Sequence, residues 1–231
     1  MNFKPALLAA ASLIAMSAHG ADIVAQWGFD AASTKQDISQ NGASFAALGV
    51  TVTFAAGSAG GQALNTAGYA AQGTGNMTRG VQFMIDTSGN ENLLFSFDQR
   101  NSSTASAYTA LLYTLDAGAS WIGATTLHYL PTTASFVKGI SYDFSSIIGA
   151  NNNTDFGVRL VNSFAPGTTT YTGSGGSYSA NGTIRYDMVT LSGTAIPDTA
   201  PVPVPEASSM AMLLSGLGVV GLLVRRRRIV A

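Results

Sequence analysis

Short runs in which apolar residues alternate with polar ones fill the chain between residues 21 and 194. Leu93, Phe95 and Phe97 form one such run, and Val158 and Leu160 belong to another. Alternate residues of a β-strand point to the same side of the sheet, so every run presents one apolar face. Turn sequences rich in Gly, Asn and Ser separate about nine such runs, and no convincing helix lies between them.

These strands predict an all-β fold, and specifically a jelly-roll-like β-sandwich, because each apolar face must be buried against a second sheet. The sandwich is assigned to residues 21–193. Residues 33–78 are rich in Ala and Gly and poor in charge, and we expect long loops there around one or two strands. The chain has no cysteine, but a domain of this length buries a core of its own without disulfides.

The charge of this body restricts its partners. Six basic and eleven acidic side chains lie between Ala21 and Pro205, which gives a net charge of −5. Nucleic acids and anionic lipids are bound through basic patches. The composition therefore argues against a nucleic-acid partner.

The first twenty residues are typical of a secretory signal peptide. Lys4 provides a positive charge, and the apolar run over residues 6–16 is too short to span a bilayer. The small residues Ala18 and Gly20 stand at positions −3 and −1 of a cut by signal peptidase before Ala21. Residues 1–20 are therefore predicted to be a cleaved signal peptide, and an uncleaved N-terminal anchor is the alternative.

The C-terminal end has three parts in a fixed order. A Pro-rich linker, residues 194–205, leads to Glu206, and an apolar stretch follows over residues 210–224. The four arginines Arg225, Arg226, Arg227 and Arg228 come directly after it. Basic residues stay on the cytoplasmic side of a membrane, so residues 210–224 are predicted to form a single transmembrane helix with a cytoplasmic Arg-rich end.

Residues 204–228 resemble the PEP-CTERM sorting signal of Gram-negative bacteria. Val204, Pro205 and Glu206 match the first three residues of its Val-Pro-Glu-Pro motif, although Ala207 stands where that family usually has the second Pro. The resemblance implies that an exosortase, an integral membrane protein, cuts near the Pro-Glu motif. It implies a precursor anchored in the inner membrane that is then passed to the cell surface or the extracellular space. A permanent C-terminal anchor is the alternative.

The segment from Thr114 to Trp121 resembles the Asp-box pattern, which forms a β-hairpin corner in proteins that carry it. The resemblance implies that Asp116 accepts backbone N–H bonds, that Gly118 has a positive φ and that Trp121 packs beneath the turn. These bonds are local, so we expect the box to stabilise the fold. Trp27 and Trp121 are both expected in the core.

Aromatic residues on loops are candidates for contacts with sugar rings. Tyr171 and Tyr178 lie in the Gly- and Ser-rich segment 167–182, where we expect them to be exposed. Exposed aromatic rings combine an apolar face with a polar group and suit amphipathic ligands such as sugars. The two tyrosines are the sugar contacts that the sequence predicts.

No catalytic residue and no cofactor are predicted. His128 has no accompanying nucleophile signature, and the acidic residues are scattered rather than paired. Calcium is the metal that the sequence best accommodates, in the oxygen-rich segments 86–91 and 151–155, although such residues also form ordinary solvated turns.

Taken together, these features predict an exported surface or extracellular-matrix protein of non-enzymatic type that associates with exopolysaccharide. A carbohydrate-binding module that uses loop aromatics is the first alternative. A secreted glycoside hydrolase is the second, and the scattered carboxylates disfavour it.

The predicted processing can be tested by measuring the intact mass of the protein in separate fractions of its native cells. We expect a surface or medium species that begins at Ala21 and lacks the segment after Glu206. A membrane species that retains Arg225–Arg228 as the final product would instead show a permanent anchor.

Overall fold

The computed structural model describes residues 20–129 and 135–197. The predicted signal peptide up to residue 19, the sorting segment and the predicted span over residues 210–224 lie outside the described residues. The described residues up to Ile196 belong to one compact unit. Within the described ranges, no helix has the length and apolar character needed to cross a membrane.

The described residues form twelve β-strands and one short 3-10 turn, Ile148–Ala150. The strands are β1 Asp22–Trp27, β2 Ile38–Ser39, β3 Ala43–Leu48, β4 Thr51–Ala56, β5 Gln62–Ala67, β6 Gly80–Ile85, β7 Asn90–Asn101, β8 Tyr108–Thr114, β9 Ile122–His128, β10 Val137–Asp143, β11 Gly157–Asn162 and β12 Ile184–Ala195.

The strands form two antiparallel sheets, which we name sheet A and sheet B. Sheet A has seven strands, in the order β10-β7-β12-β1-β2, and β5 pairs with both β12 and β4. Sheet B has five strands, in the order β3-β6-β11-β8-β9. The chain passes repeatedly from one sheet to the other, and the predicted jelly-roll-like sandwich is confirmed.

The core lies between the inner faces of the two sheets. Sheet A contributes Trp27 and Phe95, and sheet B contributes Phe83, whose ring centroid lies 4.8 Å from that of Trp27 and 6.2 Å from that of Phe95. All three side chains are fully buried. The alternation in the sequence therefore identifies the inner face correctly, and the core position expected for Trp27 is confirmed.

Residues 33–78 differ from the expectation of long loops around one or two strands. They contain four strands, of which β3 and β5 had no strong signal in the sequence. The β3 sequence is rich in Ala and has few of the β-branched and aromatic residues that favour strands. Its strand conformation comes from the six-residue ladder that it forms with β6, which is a tertiary interaction.

The C-terminal boundary of the sandwich also differs from the predicted one. Strand β12 continues to Ala195, because Thr194 and Ala195 pair with Glu91 and Asn90. The N–H of Ile196 then donates to the carbonyl of Gly89, at 2.8 Å. The first two residues of the predicted linker 194–205 therefore belong to the sheet.

Replacement of Phe95 by Ala should lower the free energy of unfolding by about 3–5 kcal/mol, because it leaves a cavity at the centre of the core. Urea denaturation would measure the change. The neighbouring Leu94→Ala is a matched control, since Leu94 is 40% exposed on the opposite face of the same strand, and its effect should stay within about 0.5 kcal/mol. Equal effects of the two substitutions would contradict the assignment of the faces.

Candidate functional site

The turn between β8 and β9 is organised around the carboxylate of Asp116. Asp116 Oδ1 accepts hydrogen bonds from the Thr114 hydroxyl, at 2.6 Å, and from the Ser120 N–H, at 2.9 Å. Its Oδ2 accepts a third bond from the Ser120 hydroxyl, at 2.5 Å. Gly118 has a φ of +88°, which a residue without a Cβ adopts at little cost. The carboxylate and glycine therefore have the geometry that the Asp-box resemblance implies.

Hydrogen bonds to the charged carboxylate lower the pKa of Asp116 to about 2. The largest contribution comes from the Ser120 hydroxyl and the next from the Thr114 hydroxyl. Both bonds favour the ionised form over the protonated form. The turn is consequently held by a carboxylate that stays charged in all but strongly acidic solution.

Trp121 does not lie in the core, and this part of the prediction is wrong. Its side chain is half-buried on the outer face of sheet B, where the indole N–H donates to the carbonyl of Gly118, at 3.1 Å. The guanidinium carbon of Arg159 lies 3.8 Å from the centroid of the indole ring. This distance is within the range of a cation–π interaction. The turn thus presents an aromatic ring on the surface of the sandwich.

Arg159 is fixed in place by two contacts. The Trp121 ring lies against its guanidinium, and its Nε donates to Gln82 Oε1, at 2.8 Å. Among the described residues, no other hydrogen bond engages the guanidinium, so its terminal amino groups are available to a ligand. Arg159 alternates with the buried Val158 and Leu160, and this alternation in the sequence already indicated that its side chain points outward.

A depression of about 420 Å³ lies beside Trp121 on strands β8 and β9. Two small residues, Ala110 and Gly123, form part of its lining and leave space above the sheet. Thr126, which is exposed, contributes a hydroxyl group on its β9 side. We name this depression the Trp121 groove, and its main lining residues are Met77, Ala110, Leu112, Trp121, Gly123 and Thr126.

A second aromatic surface lies further along the same two strands. Tyr108 and His128 are directly opposite each other in the β8–β9 ladder, and their rings stack at 4.3 Å with an angle of 7°. The ladder ends at Tyr113, five positions along β8 from Tyr108, which corresponds to about 17 Å. The outer surface of this hairpin is therefore long enough to contact several units of a linear polymer.

The two tyrosines predicted to contact sugars are placed differently from the expectation. Tyr171 is 3% exposed, and its hydroxyl donates to the carbonyls of Thr74 and Gly75. Its ring stacks on that of Tyr178, at 4.5 Å, and meets the edge of Phe164. The expectation of an exposed Tyr171 is wrong, because packing within the loop region covers it. Tyr178 is half-buried, and its hydroxyl donates to the Ala70 carbonyl, at 2.6 Å.

The two segments considered for calcium lie side by side. The N–H of Gly89 donates to Asn152 Oδ1, at 2.8 Å, and the N–H of Asp155 donates to Asn153 Oδ1, at 2.7 Å. Asp86 Oδ1 likewise accepts the N–H of Ser88. These oxygens thus close turns in the backbone. Over residues 20–129 and 135–197, no group of three or more acidic or histidine side chains is placed to bind a metal ion together.

The described residues form an all-β sandwich, and the C-terminal segment carries a sorting motif. Residues 203–228 match the family model of the PEP-CTERM protein-sorting motif. The chain therefore carries a PEP-CTERM motif, which is the mark of an exported protein that is sorted to the cell surface. No curated protein matches the sequence.

Several solved structures match the chain at low similarity. A mutant of the family 29 carbohydrate-binding module CBM29-2, complexed with mannohexaose, has 14% identity and a TM-score of 0.45, and the match covers 75% of this chain and 92% of that one. The tandem CBM22 domain of Paenibacillus barcinonensis Xyn10C has 15% identity and a TM-score of 0.47, with 80% and 50% covered. At this level of similarity, the ligands of those modules say nothing about a ligand of this chain.

The Asp116 turn should make stability depend on pH. The carboxyl has a lower pKa in the folded chain than its ordinary value of 3.8, so its contribution is present above about pH 4 and is lost as the pH falls towards 2. We expect Asp116→Asn to lower the melting temperature at neutral pH and to have a much smaller effect near pH 2, where about half of the folded carboxyl is protonated. Asp22→Asn, at an exposed position, is the control, and a pH-independent effect of Asp116→Asn would contradict the role of the charge.

Proposed function

We propose that this chain is a non-enzymatic surface or extracellular-matrix protein whose sandwich binds exopolysaccharide through the Trp121 groove. Signal peptidase releases the N-terminal segment, and an exosortase processes the inner-membrane precursor at the PEP-CTERM motif. The PEP-CTERM match supports the export and sorting. The observation that carries the binding is the position of Trp121 on the outer face of sheet B, next to Arg159 and the groove.

A half-buried aromatic ring beside a shallow groove suits a sugar ring. The apolar C–H face of a pyranose packs on an indole ring, while its hydroxyl groups need hydrogen-bond partners around the ring. The terminal amino groups of Arg159, the amide of Gln82 and the hydroxyl of Thr126 are polar groups that can fill this need. Because Trp121 and Gln82 hold the guanidinium, little side-chain freedom is lost when a ligand binds.

The arrangement of the carboxylates supports a binding role over hydrolysis. Asp98 and Asp187, which are neighbours in the β7–β12 ladder, lie on sheet A, on the other side of the sandwich from the Trp121 groove. Ser58 donates to both, through its hydroxyl to Asp98 and through its N–H to Asp187, each at 2.6 Å. A glycosidase instead places two carboxyl groups on either side of the scissile bond, in the sugar site itself.

Replacement of Trp121 by Ala should weaken glycan binding at least tenfold, which corresponds to about 1.4 kcal/mol. The probes are a glycan array and exopolysaccharide isolated from the native cells, and the protein is the full-length chain in a non-ionic detergent. Trp121→Phe should keep more of the affinity than Trp121→Ala, because it retains an aromatic face.

The matched control for this experiment is Ile148→Ala. Ile148 is 82% exposed and lies far along the chain from the groove, in the 3-10 turn before β11. Its removal takes a large apolar side chain from the surface without touching the Trp121 groove. Equal losses in Ile148→Ala and Trp121→Ala, or no glycan bound by the unchanged protein, would show that the proposal is wrong.

A further inference from the structure

Two arginines stand directly opposite each other on the outer face of sheet A. Arg100 of β7 and Arg185 of β12 are partners in the antiparallel ladder. Side chains at such positions are about 5 Å apart at Cβ, and like charges there repel each other. Burial lowers the pKa of Arg185, and the charge of Arg100 lowers it further. The structure thus holds two positive charges together at a cost in free energy.

The neighbouring carboxylates of the same ladder form hydrogen bonds with other groups. Asp98 and Asp187 occupy the next row of the same ladder, two residues along each strand. Asp98 accepts the Gly139 N–H and the Ser58 hydroxyl, and Asp187 accepts N–H bonds from Ser58 and Met188. Burial raises the pKa of Asp187 from its ordinary value. Both carboxylates are therefore engaged by other donors.

The guanidinium groups themselves retain most of their hydrogen-bonding capacity. Arg185 Nη1 donates to the carbonyl of Ala56, at 3.2 Å. Within the described part of the chain, Arg100 makes no side-chain hydrogen bond or ion pair. On β5, the residue opposite Arg185 is the uncharged Asn65. Several planar N–H donors are consequently directed at the same region of the surface.

The two arginines line a depression of about 310 Å³ together with hydroxyl-bearing residues. Ser102, Ser103 and Thr183 line it beside the guanidinium groups. Guanidinium groups bind carboxylates and other oxyanions through charge-assisted, often bidentate hydrogen bonds. Hydroxyl groups, which both donate and accept, suit the alcohol groups of a sugar. The depression therefore combines the chemistry for an acid group with the chemistry for a polyol.

We propose that Arg100 and Arg185 form a second site, which binds the acid group of an anionic polysaccharide. The acid group is a carboxylate or a sulfate, since both offer oxygens to two guanidinium groups. This site lies on sheet A, whereas the Trp121 groove lies on sheet B. The proposal for the arginine site holds whether or not the Trp121 groove binds a glycan. The net negative charge of the body opposes an acidic polymer only weakly, because salt screens charges beyond about 8 Å at physiological ionic strength.

The test measures binding of the full-length chain, in a non-ionic detergent, to three soluble polymers at physiological salt. Polygalacturonate carries carboxylates, dextran sulfate carries sulfates and dextran is neutral. Arg100→Ala and Arg185→Ala should each lower the affinity for one of the acidic polymers at least tenfold, and the polymer affected identifies the acid group. Lys35→Ala is the matched control, because it removes the same charge from an exposed residue in the loop before β2.

A second measurement separates a binding role from a structural one. Removing Arg100 relieves the repulsion and breaks no side-chain hydrogen bond among the described residues, so the melting temperature of Arg100→Ala should stay the same or rise. A lower melting temperature, together with lost binding, would indicate a structural role and overturn the proposal.

The variant Trp121→Ala distinguishes the second site from the first. Its affinity for the acidic polymer should stay within about twofold of that of the unchanged protein, even where the substitution abolishes binding of neutral glycans. Loss of both activities in Trp121→Ala would mean a single site. Equal losses in Lys35→Ala and the arginine variants would mean non-specific attraction. Single-stranded DNA is the last probe. If the chain bound it as tightly as the acidic polysaccharide, and if the arginine substitutions weakened both equally, the proposal that the site recognises a sugar would be wrong.

Discussion

The antiparallel pairing of β7 with β12 is the interaction on which the rest of the sandwich depends. Each strand has twelve residues, and together they form the centre of sheet A, with β10 on one side and β1 and β5 on the other. Their inner faces carry Phe95 and Tyr186 into the core, and their outer faces carry the arginine and aspartate pairs. The same ladder therefore sets both the packing of the core and the chemistry of one surface.

The two proposed sites differ in how they are built. The Trp121 groove is assembled at a hairpin, where a local turn around Asp116 delivers an aromatic ring to the outer face of sheet B. The arginine site comes instead from register, because two strands far apart in sequence bring Arg100 and Arg185 to opposite positions. The first depends on short-range hydrogen bonds, whereas the second depends on the whole of sheet A.

Alternation in the sequence was sufficient to predict the fold class and the direction in which most strand residues point. It placed Phe95 inward and Arg159 outward, because both follow from the two-residue period of a strand. The features that alternation did not predict depend on contacts between residues that are separated in the sequence. Tyr171 is buried by Tyr178 and Phe164, and Trp121 is drawn outward onto Arg159. Neither partner is identified by a pattern along the chain, and the same is true of β3, which takes its conformation from β6.

The way the chain leaves the sandwich has a mechanical consequence. Strand β12 is flanked by partners on both sides, and its last residues remain paired with β7 up to Ala195. Tension applied to the chain beyond Ile196 would act along β12. Many ladder hydrogen bonds would then be loaded in shear at once, rather than broken one after another. A protein held through its C-terminal end would thus transmit a pulling force directly into the most strongly supported strand of its body.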